Sequence, residues 1–147
     1  MKKLLVLISL LAVSGTVHAI GTSQSFNATM RLMQPIVITT VQGLTFPDQS
    51  ITGSAFTATV ATTDAGAATF NATGGNNRTI TSAVGSSSIV MTSGSMNMTV
   101  DTFVVTGPTA FVSGVANGFK VGATAHITTA DLDGNYTGTN TFTIAYQ

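Results

Sequence analysis

Apolar side chains recur at every second position along most of this 147-residue chain. A two-residue period is the rhythm of a strand with one buried face, and a helix cannot use it. In residues 24–32, Phe26, Ala28, Met30 and Leu32 fall on one face, with Ser25, Asn27, Thr29 and Arg31 on the other. Pro35 interrupts, and Ile36, Val37 and Ile38 open the next strand. Leu44 and Phe46 alternate around Thr45 ahead of a turn at residues 47–50. Phe56, Ala58 and Val60 alternate with threonines, and Ala68, Phe70 and Ala72 form a similar run. Gly74-Gly75-Asn76-Asn77 is a turn, and Ile80 begins another short strand. Ile89-Val90-Met91 is expected to be a compact buried strand. Met96, Met98 and Val100, then Phe103-Val104-Val105, and then residues 121–128 give three more. The last segment places Tyr136, Phe142, Ile144 and Tyr146 on one face of an expected strand and Thr137, Thr139, Thr141 and Thr143 on the other.

The composition agrees with this period. Thr and Val suit pleated, half-buried surfaces, while Gly and Asn punctuate turns. Many short strands at this spacing predict an all-β Greek-key sandwich. The chain has no cysteine, so stability must come from burial and sheet hydrogen bonds.

The first nineteen residues do not belong to that pattern. Lys2 and Lys3 precede a mainly apolar stretch over residues 4–13, and Val17-His18-Ala19 supplies a cleavage site. A cleavable signal peptide over residues 1–19 is therefore expected, cut before Ile20. The stretch is shorter than the roughly 20 apolar residues that span a bilayer. No membrane span is expected after cleavage, and the short Lys-Lys leader points to bacterial export. Beyond the leader, Arg31, Arg78 and Lys120 stand against Asp48, Asp64, Asp101, Asp131 and Asp133, with no Glu. That balance provides no basic footprint for nucleic acid and no polybasic patch for anionic lipid.

Catalytic chemistry is thinly supplied. His126 is the one histidine after the leader, and it lies out of phase with the apolar face of its strand. It is read as a solvent-facing strand residue rather than the base of a Ser-His-Asp set. No nucleophile elbow, zinc-protease or phosphate-loop motif occurs. Asp131-Leu132-Asp133-Gly134 has the spacing of a calcium-loop start but lacks a downstream Glu, so it reads as an Asp-Gly hairpin turn. No enzyme, cofactor or metal site is expected.

The two ends carry a different signal. The segment ahead of Pro35 is a detached amphipathic strand. It can be the first strand of its own sandwich, or an arm that adds to a neighbour's sheet. At the other end Tyr146 is penultimate and Gly134 is fourteenth from the end, with alternating apolar residues between them. This resembles the C-terminal motif of chaperone–usher pilins. A wider resemblance rests on Leu44-Thr45-Phe46 after an Ile-rich strand, on residues 68–74 around Phe70, and on Val121-Gly122-Ala123-Thr124 followed by Gly134-Asn135-Tyr136-Thr137-Gly138. Together these are similar to the DUF4402 family of exported, fimbria-like proteins, with Pro47 standing where a glycine is expected. The resemblance implies an incomplete immunoglobulin-like sandwich, completed by a donor strand from the next subunit. Residues 20–34 would be the donor extension and residues 35–147 the pilin-like domain. Phe26, Ala28, Met30 and Leu32 would be the donor-strand plugs. Gly134, Tyr136, Phe142, Ile144 and Tyr146 would form the acceptor edge, which also binds the chaperone. The implied function is a structural fimbrial subunit on the bacterial surface. Its implied partners are neighbouring copies, a periplasmic chaperone and an outer-membrane usher. The alternative is a complete, monomeric secreted sandwich acting as a binding module or adhesin.

Overall fold

The computed structural model describes residues 21–147, so the expected signal peptide over residues 1–19 lies outside the described residues. The chain divides into two units, one ending at Arg31 and one running from Leu32 to Gln147. In the first unit, residues 21–31 contain no helix or strand, and Phe26 and Met30 are 88% and 82% exposed. The alternation there predicts a strand that does not form. Strand hydrogen bonds are made to a neighbour, and an isolated segment has none.

The second unit holds eight strands and no helix among the described residues. These are β1 (Val37–Gln42), β2 (Phe56–Val60), β3 (Ala68–Thr73), β4 (Ile80–Val84), β5 (Ser88–Ser93), β6 (Met96–Thr106), β7 (Val115–Ile127) and β8 (Phe142–Tyr146). Six of them form one sheet in the order β1-β3-β7-β6-β5, with β2 also pairing β7. β4 and β8 form a second, two-stranded sheet. All pairings are antiparallel. The result is an all-β, incomplete sandwich: a large open sheet faced by a small one.

β7 is the spine. Its first half pairs β3, its second half pairs β2, and β6 runs along its other side. Ala116, Phe119, Val121, Ala123, Ala125 and Ile127 are all buried. Alternation from residue 127 back to Phe119 would put Asn117 inside. Gly118 prevents this. It adopts φ +82°, forms a bulge opposite β3 and gives its N–H to Asn71 Oδ1 at 3.0 Å. Ala116 and Phe119 can then both face the core. β6 has a similar break at Thr102, with φ +52°, between Asp101 and Val104.

These bulges explain two differences from the sequence pattern. Met96–Val100 and Phe103–Val105 are one strand rather than two, and the strand expected over residues 121–128 begins six residues earlier. Leu44–Phe46 is a loop, anchored by the Thr45 N–H donating to the Gly66 carbonyl at 2.8 Å. β5 lies at the sheet edge and is not buried throughout: Val90 is 53% exposed.

Two clusters make the core. One gathers Ala72, Ile80, Phe111, Ala116 and Phe119 under the β4–β8 sheet. The other gathers Ala58, Val100, Ala123, Ala125 and Ile127 at the far end of β7. Phe119, at 0% exposure, contacts both β8 and the centre of the first cluster. Phe119→Ala is expected to lower stability by about 3–5 kcal/mol, read by urea unfolding.

Candidate functional site

β8 pairs with β4 and with no other strand among the described residues. In an antiparallel pair, alternate residues bond toward the partner, and those between them point the other way. The phase is set at both ends of β8. The Gly85 N–H donates to the Thr141 carbonyl at 2.8 Å, and the Gln147 N–H donates to the Thr79 carbonyl at 3.1 Å. Residues 141, 143, 145 and 147 therefore face β4. Phe142, Ile144 and Tyr146 turn their N–H and C=O groups to an open edge.

The same three residues send their side chains into the core. The Phe142 ring stacks on Phe70 at 4.3 Å and 12°, and tilts against Phe119 at 5.5 Å. Tyr146 meets Phe111 edge-on at 5.9 Å. Ile36, just before β1, and Ile38 of β1 pack on the same cluster, and β1 is itself an edge strand. Two unpaired edges thus flank a half-buried apolar strip of Ile36, Ile38, Phe70, Phe142, Ile144 and Tyr146. Such a surface is a template for another strand.

Tyr146 closes one end of this strip. Its Oη accepts the Gly75 N–H at 2.6 Å and donates to the Gln34 carbonyl at 2.8 Å. Gly74 makes the approach possible, since a Cβ there would lie 2.6 Å from both the Phe111 ring and Tyr146 Oη. The end of β8 is thereby tied to the chain just before β1. Tyr146→Phe keeps the ring and deletes both bonds; the expected loss is about 1–3 kcal/mol in thermal or urea unfolding.

The residues expected to form one acceptor edge fall into two places. Phe142, Ile144 and Tyr146 lie together on β8. Gly134 and Tyr136 do not share that strand, which corrects the expectation of one ladder from residue 136 to residue 146. Tyr136 Oη accepts the Leu132 N–H at 3.2 Å and donates to the Leu132 carbonyl at 3.0 Å, while Thr137 exchanges both backbone bonds with Thr92 of β5. The chain crosses to β8 only after Asn140, whose side chain bonds the backbone of Ser86 and Thr141. The donor candidates Phe26, Ala28, Met30 and Leu32 are all exposed.

Polar chemistry lies elsewhere. His126 and Asp101 meet on the outer face of the large sheet, Nε2 to Oδ1 at 2.8 Å, with the side chains 44% and 36% exposed. Sequence places His126 outward but does not reveal its partner. Thr102 Oγ1 also donates to Asp101 Oδ1 at 2.8 Å. The hydrogen bond from His126, then that from Thr102, hold the Asp101 carboxyl below its ordinary value. A lowered carboxyl stabilises the fold above its unfolded value and loses that contribution as pH falls through the folded one. Asp101→Asn should therefore weaken the protein at pH 5, and its difference from wild type should shrink as pH falls below the ordinary carboxylate range, as read by urea midpoints. No other side chain bonds His126 among the described residues, so the pair links β6 to β7 without a nucleophile on the imidazole.

Asp131 is 4% exposed and caps its own turn, its Oδ2 accepting the Thr128 N–H at 2.5 Å and Thr128 Oγ1 at 3.0 Å. The turn does not make a hairpin, because β7 and β8 are not paired. Among the described residues, no group of three or more His, Cys, Asp or Glu side chains could hold a metal ion. No described helix is long and apolar enough to cross a membrane.

No curated protein and no solved structure matches the chain. The family described as "Domain of unknown function (DUF4402)" matches residues 36–146, which run from the residue before β1 to the last residue of β8. The match covers the whole sandwich, both open edges included, and the chain belongs to the DUF4402 family.

Proposed function

We propose that this protein is a structural subunit of a bacterial surface fimbria, in which the arm at residues 24–32 of one copy pairs with the β8 edge of the next. The observation that carries this reading is the edge itself. Among the described residues, Phe142, Ile144 and Tyr146 have no backbone partner on one side, and the same three residues carry half-buried side chains. A donor strand supplies both missing partners, its backbone to the edge and alternate side chains to the strip. The arm has the alternation to do so. Burying Phe26, Met30 and Leu32 would contribute roughly 1.5–3 kcal/mol each.

The partners follow from the same physics. An apolar edge left open in transit invites aggregation, so a periplasmic chaperone would cover it until an outer-membrane usher delivers the subunit. The place of action is then the periplasm in transit and the cell surface after assembly. Cleavage before Ile20 would free the arm for insertion.

The reading is tested by removing residues 20–32 and adding a synthetic peptide of residues 24–33. The truncated domain should be aggregation-prone, and the peptide should restore a soluble monomer with a clearly raised melting temperature. A truncated domain that is already soluble, stable and indifferent to the peptide would return the chain to the alternative of a monomeric secreted binding module.

A further inference from the structure

The β4–β8 sheet covers only one end of the large sheet's inner face. At the other end the loops after β1 and after β7 lie over the second core cluster, and they leave a cavity of about 430 Å³ between them. That volume is within the roughly 300–1,000 Å³ of small-ligand sites. Its apolar wall comes from Leu44, Phe46, Phe56, Met91 and Met98, all only partly buried, and Tyr136 also lines it.

The charged groups lining this cavity are of one sign, beside the neutral Thr45, Gln49 and Asn135. Asp48 and Asp133 are exposed at its margin, and the nearly buried Asp131 lies in its wall. Arg31, Arg78 and Lys120 are all absent from the lining. Among the described residues, Asp131 takes its hydrogen bonds on Oδ2 from Thr128, a neutral partner, so nothing here balances the three carboxylates. Of the three, Asp131 is buried, where a carboxylate is stabilised by an opposite charge, and aromatic faces also favour a cation. The aspartates do not form a chelating group, so a bare metal ion does not fit.

We propose that this cavity binds a small amphipathic organic cation, an alkyl or aryl amine. Its hydrocarbon body lies against Phe46, Phe56, Met91 and Met98, and its ammonium group faces Asp48, Asp131 and Asp133. The site shares no residue with the β8 edge, so it stands whether or not the chain polymerises. It also gives Gly134 and Tyr136 a place in the molecule, as lining of this cavity.

Isothermal titration of the purified exported protein with octylamine, 1-octanol and octanoate tests the assignment. Octylamine should bind one site per chain, about tenfold tighter than octanol, with octanoate weaker still. The double variant Asp48→Asn/Asp133→Asn spares the Thr128–Asp131 turn. It should cut the preference for the amine severalfold while leaving octanol binding unchanged. Absence of octylamine binding, octanol binding equal to the amine, or a preference undiminished in the double variant would each overturn the proposal.

Discussion

Everything distinctive about this molecule depends on the one-sided pairing of β8. Backbone N–H and C=O groups are strong hydrogen-bonding groups, and a sheet satisfies them on both sides of each interior strand. Among the described residues, β8 is satisfied toward β4 alone. The bonds at residues 85–141 and 147–79 fix the phase, so the residues that bury their side chains are also the ones whose backbone is left open. With any other phase, the open groups would belong to the exposed Thr143 and Ala145, and a strand added there would gain no apolar contacts.

The rest of the fold keeps that edge in position. Phe119, in phase with the buried residues of β7, supports Phe142 from below, while Phe70 of β3 stacks on it from the large sheet. Phe111 and Tyr146 close the other end, where Gly74 allows the Tyr146 hydroxyl to reach Gly75 and Gln34. β1 and β8 are thus held around one cluster, with no strand pairing the two among the described residues. The large sheet extends well past this cluster, and there the cover is made by loops, which leaves room for the separate cavity.

Much of this was legible in the sequence. β2 and β3 follow from alternation alone, β4 follows from Ile80 after the turn at residues 74–77, and β8 is the last part of the alternating ladder expected from Tyr136 onward. The places where alternation misleads have physical causes. Gly118 and Thr102 each add a residue and shift the period, which hides the start of β7 and joins two segments into β6. Tyr136 has the parity of Ile144 but bonds the backbone of Leu132, because Asn140 and the Thr137–Thr92 bridge redirect the chain before β8 begins. Phe26, Met30 and Leu32 have a strand's pattern without a strand's partner. The Asp101–His126 pair depends on the register of β6 against β7, which one strand's sequence does not specify.

The central claim is that the open groups of Phe142, Ile144 and Tyr146 are an acceptor for the arm of another copy. Amide hydrogen exchange at these three residues tests it most directly. In the subunit lacking residues 20–32 their amides should exchange rapidly, while those of Thr143 and Ala145, facing β4, stay protected. In the assembled protein all five should be protected. Strong protection of Phe142, Ile144 and Tyr146 already in the truncated subunit, or their continued rapid exchange after assembly, would contradict the account.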